Sequence, residues 1–203
     1  MTRSRSTSDG AGAVHAPVPL RLRPTLLSDL DFVQSVEDDA ANRPFITPWE
    51  RTQHEGAVRF PDFRHFIVEG SGQLPGAGGR DGFIILQGCR NPHGSVELKR
   101  LVLHSGAQGR GLGRRCVRRL KHMAFGDLHA HRFWLDVKLQ NTRGLALYAD
   151  EGFVEEGRLR DSVRLAPVDG QPRYDSLVVM SLLAPEYAAR LAAGLEADRG
   201  RPA

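Results

Sequence analysis

Ser95–Phe125 reads SVELKRLVLHSGAQGRGLGRRCVRRLKHMAF. Its first nine residues are rich in β-favouring apolar side chains, with the charged Glu97, Lys99 and Arg100 among them. The run Gln108-Gly109-Arg110-Gly111-Leu112-Gly113 cannot continue a strand. Its three glycines let backbone N–H groups turn towards one point without Cβ obstruction. Helical spacing follows, with Cys116, Val117, Leu120, Met123 and Ala124 on one face. A helix N-terminus behind such a turn is an anion site suited to a pyrophosphate. The competing reading is a tight strand-to-helix turn with no ligand. A dinucleotide fold would need Gly-x-Gly-x-x-Gly after a first strand, and a Walker A loop would need Gly-Lys-Ser/Thr. Neither is present.

Downstream stands a second block, Asn141 to Phe153, NTRGLALYADEGF. Asn141 and Tyr148 are seven residues apart and share a helical face. Together the two blocks resemble the GNAT superfamily of acetyl-CoA-dependent N-acetyltransferases. That family's signature is Gln/Arg-x-x-Gly-x-Gly/Ala between its fourth strand and third helix, followed later by Asn…Leu-Tyr-x-x-x-Gly-Phe. The likeness runs over residues 20–183. GFVEEGRLRDSV…DGQPRYDSLVVMSLL, with Gly157, Arg158 and Arg160, looks like the branch holding ribosomal-protein N-terminal and small-amine acetyltransferases.

The resemblance implies a single α/β (α+β) domain, with a mixed, mostly antiparallel twisted sheet of about seven strands and helices on both faces. It implies acetyl-CoA as co-substrate and a primary amine as acceptor, either a small molecule or a protein N-terminus or lysine. The pyrophosphate would lie on the amides from Gly109 to Gly113, with Gln108 beside them and Arg110 or Arg114 adding charge. Leu101, Val102 and Leu103 would border pantetheine through their backbone. Asn141 would bind the coenzyme, and Tyr148 would protonate the departing thiolate; its alternative is a core tyrosine. Glu97 lies eleven residues before Gln108, a spacing at which some family members carry a general base. Its alternative is a strand carboxylate paired with Lys99 or Arg100.

The chain has 203 residues and 40% hydrophobic content, enough for one ordinary domain with tails. Residues 1–18 read as a disordered leader, 19–184 as the catalytic domain, and 185–203 as a terminal helix and tail. The leader lacks the apolar stretch of a secretory signal. No apolar run approaches the roughly 18–20 residues of a membrane span. These features favour a cytoplasmic protein without a membrane partner. Cys89 and Cys116 are the only cysteines, and Cys116 belongs to the apolar helix face. His129-Ala-His131 has no third ligand at metal-site spacing, so no metal is expected.

Short strands are expected near Leu20–Pro24, Arg64–Glu69, Gly82–Gly88 and Arg132–Lys138. Ser28 or Asp29 is placed to cap a helix containing Leu30, Phe32, Val33 and Val36, and Trp49–Val58 forms another. The last strands, Phe153–Leu165 and Tyr174–Leu183, join across Pro167–Pro172. Glu37-Asp38-Asp39 reads as a solvated helix end, its alternative being attraction of a cationic acceptor. The net charge of +4 suits an anionic partner such as the coenzyme. Two other functions compete. A non-catalytic acyl-CoA-binding regulatory module would not need both Asn141 and Tyr148. A nucleic-acid binder would use Arg114, Arg115, Arg118, Arg119 and Lys121, but no aromatic platform is interleaved with them. Self-association as a homodimer is compatible with the sequence.

Overall fold

A computed structural model describes residues 19–70 and 78–196. The expected leader, part of the glycine-rich link after Glu69 and the end of the tail lie outside the described residues. The strands are β1 (Arg21–Pro24), β2 (Arg64–Glu69), β3 (Gly82–Gln87), β4 (Ser95–Leu103), β5 (Arg132–Lys138), β6 (Val154–Val168) and β7 (Gln171–Leu183). They form one seven-stranded sheet in the order β1-β2-β3-β4-β5-β7-β6. Every neighbouring pair is antiparallel except β4 and β5, which are parallel.

The helices are α1 (Leu30–Asp38), α2 (Arg51–Arg59), α3 (Leu112–His122), α4 (Thr142–Asp150) and α5 (Ala184–Ala192). They bury the sheet on both faces, which is why β3 is apolar without alternation. On one face Leu30, Val33 and Val36 of α1 pack against Ile67, Phe83, Ile85 and Val102. On the other, Leu112, Cys116, Val117 and Leu120 of α3 meet Phe66, Ile84, Leu98, Phe133 and Val178. The helical face read from the α3 sequence is therefore a core face.

Several local expectations change. Asp29 does not cap α1 through its side chain. It closes a short 3₁₀ turn by accepting from the Leu26 amide at 2.9 Å. The Arg23 guanidinium, at 2.7 Å, holds its carboxyl down at about 2. α2 begins at Arg51, two residues later than read. The last hairpin is longer than expected, because Pro167 and Pro172 lie within the strands and only Asp169-Gly170 turns. Both turn residues have positive φ, 51° and 75°, which suits an Asp-Gly hairpin turn. Glu37 is 1% exposed, so the acidic run is not simply a solvated end.

The arginine-rich side of α3 is not a free basic face. Arg114 pairs with Asp150 and Glu151, and Arg118 with Glu151. Lys121 is fully buried and bonds Glu151 and Glu196 at 2.9 and 2.5 Å. These pairs tie α3 to the end of α4 and to the segment after α5, and they engage Arg114, Arg118 and Lys121 of the five cations a nucleic-acid binder would use.

Candidate active site

The site begins where the sheet opens. β4 and β5 pair only at Ser95↔Arg132, Val96↔Phe133 and Glu97↔Trp134. Beyond those residues the two parallel strands separate. A β-bulge coincides with the opening: Leu98 faces Leu86 and Arg100 faces Ile85, leaving Lys99 as the extra residue on β4. Bulges bend a strand and re-aim its groups. A cleft of about 520 Å³ follows, lined by Leu101, Val102, Leu103, the glycine turn, Asn141 and Tyr148 among others. A second lobe of about 280 Å³ opens on the other side of the slot, beside Trp49, Lys99, Arg100, Asp136 and Lys138. Phe45, Ile46, Leu101, Val102, Asn141 and Tyr148 border both lobes.

The glycine turn forms one end of the larger lobe. Gly109 and Gly111 both have φ of +76°, a left-handed conformation, and Gly111 is the N-cap of α3. The first amides of that helix have no intrahelical acceptor and are available to an anion. Not every signature side chain faces the cleft. Leu112 is buried in the core, so only its backbone belongs to the turn. Arg110 is exposed and does not line the cleft. Arg114 does line it, while already bonded to Asp150 and Glu151.

Gln108 is a brace. Its amide nitrogen donates to Asn42 Oδ1 and the Leu103 carbonyl, both at 2.9 Å, and its Oε1 accepts from Arg143 at 2.8 Å. Asn42 in turn donates to the carbonyls of Val36 and Leu103. The turn, the end of β4 and the chain after α1 are thereby held together. Neither Asn42 nor Arg143 is among the residues singled out from the sequence; Asn42 sits in the segment between α1 and α2, where no local pattern points to it.

Asn141 is the N-cap of α4, its Oδ1 accepting from the Gly144 amide at 2.9 Å. A Cβ on Gly144 would sit 2.8 Å from Asn141 Nδ2, which is why a glycine follows at that spacing. Tyr148, two turns on, is half-buried at the junction of the lobes, its ring 5.8 Å from that of Phe153. Burial pushes its phenol well above the usual tyrosine value, so it carries its proton at neutral pH.

Glu97 is 7% exposed, bonds Lys99 Nζ at 2.9 Å and lines neither lobe. Burial raises its carboxyl above the ordinary range, Lys99 opposes this, and Asp136 pushes it further up. Asp136 is exposed and lines the smaller lobe. Nothing in the strand sequence Arg132–Lys138 distinguishes it from an ordinary exposed strand residue.

The far wall of the smaller lobe is fixed by buried polar groups. Glu37 accepts from the Trp49 amide at 2.8 Å, lies 3.2 Å from His54 Nε2, and pairs with Arg100 at 3.2 Å. His54 Nδ1 is 3.2 Å from His65 Nε2, and His65 Nδ1 is 2.9 Å from Thr25 Oγ1. Burial, then His54, pull the His65 imidazole down to about 3, so it stays neutral. Arg100 also donates to the Thr47 carbonyl at 2.7 Å and lies over the Trp49 ring at 4.7 Å. Lys138 donates to the carbonyls of Pro44 and Ile46. No group of three potential metal ligands occurs among the described residues, and no described helix is long and apolar enough to cross a membrane.

A sheet splayed beside a bulge, with a glycine turn at one end and a tyrosine at the junction, defines an acyl-coenzyme A transferase. The model of the acetyltransferase (GNAT) family matches residues 30–153, more than half of the chain, and the protein belongs to that family. It is an N-acetyltransferase that moves acetyl from acetyl-CoA to an amine. Spermidine N(1)-acetyltransferase of Vibrio cholerae is 25% identical over 178 residues, 83% of this chain and 95% of that protein. N-alpha-acetyltransferase RimI of Mycobacterium tuberculosis is 29% identical over 122 residues, 60% of this chain and 72% of the relative. Among solved structures, the V. cholerae spermidine N-acetyltransferase in complex with CoA and spermine superposes with a TM-score of 0.68 at 24% identity. It covers 83% of this chain and 98% of its own. A dodecameric form of that enzyme gives 0.66 at 26% identity, covering 84% and 97%.

Proposed function

We propose that acetyl passes directly from the thioester to the acceptor amine in the slot between β4 and β5. The observation that carries this reading is the placement of Tyr148 on the border of both lobes. The pyrophosphate lies on the amides of Gly109 to Gly113 with Arg114 and Arg143 beside it, and Asn141 contributes from the head of α4. Pantetheine runs along Leu101–Leu103. The acceptor enters through the smaller lobe.

An ammonium has no lone pair, and free amines have pKa values of about 8 to 10.4. The proton leaves towards the Asp136–Glu97 pair, of which Asp136 is the member in the lobe. The nitrogen lone pair then attacks the thioester carbon, and backbone amides of β4 stabilise the oxyanion. The C–N bond forms, the C–S bond breaks, and the thiolate takes the proton of Tyr148; the second proton of the attacking nitrogen leaves as the amide forms and restores the phenol, while the first passes from the carboxylate to solvent. Holding both reactants in one slot supplies the gain from proximity. A cysteine acyl-enzyme has no support: burial pushes the Cys89 thiol up to about 11 and the Cys116 thiol to about 12.

pH–rate profiles of Asp136→Asn and Glu97→Gln test the base. Asp136→Asn is expected to lower kcat/KM by about 10²–10⁴-fold and remove the acidic limb. Glu97→Gln should lower kcat/KM less than Asp136→Asn, because Glu97 stands outside the lobe and Asp136 lines it. Profiles identical to the parent for both variants would exclude the pair. We also propose self-association, as in the dodecameric relative, and sedimentation of the purified chain reads it directly.

A further inference from the structure

The smaller lobe carries a charge pattern that bears on the identity of the acceptor. Four charged residues line it: Asp136, Lys99, Arg100 and Lys138. Asp136 is the single carboxylate among them. A polyamine carries several ammonium groups along one chain, and each needs an acidic or carbonyl partner when it leaves water. Asp136 can serve one ammonium. The next charges that such a chain would meet are positive.

Glu97, Glu37 and Asp175 stand beside Lys99, Arg100 and Lys138 and offset part of their charge, but none of the three lines the lobe. Glu37 is committed to Arg100, His54 and the Trp49 amide. Glu97 is committed to Lys99. They hold cations in place and do not line the lobe. Lys99 gives one ammonium proton to Glu97, and its side chain is 32% exposed at the bulge. Lys138 and Arg100 are more deeply set, each bonded to carbonyls of the chain between Pro44 and Thr47. Phe45, Ile46 and Trp49 add an apolar wall. A volume of about 280 Å³ suits a compact acceptor better than an extended chain.

We propose that the acceptor is an amino carboxylate: one ammonium that meets Asp136, with a carboxylate a few bonds away that meets Lys99 and the edge of Arg100. This deepens the acetyl-transfer reading above and rests on it. The carboxylate takes no part in bond making. It fixes the orientation of the amine so that the lone pair, once freed, points at the thioester carbon, and it repels no lining group other than Asp136 itself.

The test is an acetyl-CoA turnover panel on the full chain. It pairs each free α-amino acid with its carboxamide and adds a short peptide with a free N-terminus and spermidine. At least one free amino acid is expected to exceed both its carboxamide and spermidine by about tenfold or more in kcat/KM, the scale of one charge-assisted hydrogen bond. Lys99→Gln, a change at a partly exposed position, should cut that preference several-fold while acetyl-CoA affinity stays that of the parent. A preference for spermidine, the peptide or the carboxamides overturns the proposal, as does a preference that Lys99→Gln leaves intact. Absence of turnover with every amino carboxylate also overturns it, provided acetyl-CoA still binds. Absence of acetyl-CoA binding is a different failure and strikes the underlying transfer reading.

Discussion

Tyr148 has two properties that could be separated only after the helix was placed. Its ring packs beside Phe153, as a core tyrosine would, and its position borders both lobes, as a proton donor must. Tyr148→Phe keeps the ring and removes the donor. Its kcat should fall by about 10²–10⁴-fold when chemistry limits the rate, with melting temperature and acetyl-CoA affinity near those of the parent. Normal turnover under those conditions would show that solvent protonates the thiolate. Because burial raises the phenol pKa, the parent should keep this donor through the alkaline range in which an ordinary tyrosine ionises. Glu97 stands deeper than Tyr148. Its distance from the glycine turn matched a base, yet its carboxylate bonds Lys99 and stands outside the lobes. Strand alternation put Asp136 on the same face one strand away, and only the β4–β5 pairing made that visible.

At the scale of elements, the strand-turn-helix works through backbone conformation more than through side chains. Gly111 is the N-cap of α3 with φ of +76°, and a Cβ there would meet nothing within 4 Å. Alanine at this position therefore costs about 1–2 kcal/mol in left-handed backbone strain without a clash in the free protein. In the proposed binding mode it also places a methyl group in the path of the coenzyme phosphates. Parent protein should melt at a higher temperature in saturating acetyl-CoA, since a ligand that binds only the folded state stabilises it by mass action. Gly111→Ala should lose most of that shift while melting only slightly below the parent without ligand. A full shift in the variant would remove the turn from the phosphate site.

At the scale of the molecule, a buried ion cluster fastens α3 to α4 and to the segment after α5. Lys121 is its centre, bonded to the Glu151 carbonyl and carboxylate and to Glu196. Burial pushes the Glu151 carboxyl up, but the bonds from Lys121 and Arg118 outweigh that and leave it below the ordinary value. Lys121→Met removes the buried cation shared by two carboxylates and should destabilise the fold, by less than the roughly 3–5 kcal/mol of a fully stranded charge because Glu151 keeps Arg114 and Arg118 and Glu196 keeps Arg190. A depressed carboxyl contributes stability above the unfolded-state pKa and loses it as pH falls through the folded value. The gap between parent and Lys121→Met should therefore be widest near neutrality and narrow on acidification. Thermal melts from pH 7 to pH 3 check this, and a gap that widens in acid would assign the cluster a different role.

The sequence by itself determined the elements whose signals are local. The glycine turn needs positive φ at fixed positions, the Asn141 cap needs Gly144, and the apolar face of α3 repeats with the helix. Those requirements are short-range, so family, fold and coenzyme were legible from two blocks. Tertiary structure decided what depends on neighbours distant in the chain. Arg114 and Arg118 of α3 are paired because Asp150 and Glu151 come to them from the end of α4. Glu37 became buried because Trp49, His54 and Arg100 converge on it from three segments. The smaller lobe exists because β4 and β5 stop pairing after Glu97 and Trp134, a separation that no residue in either strand announces alone.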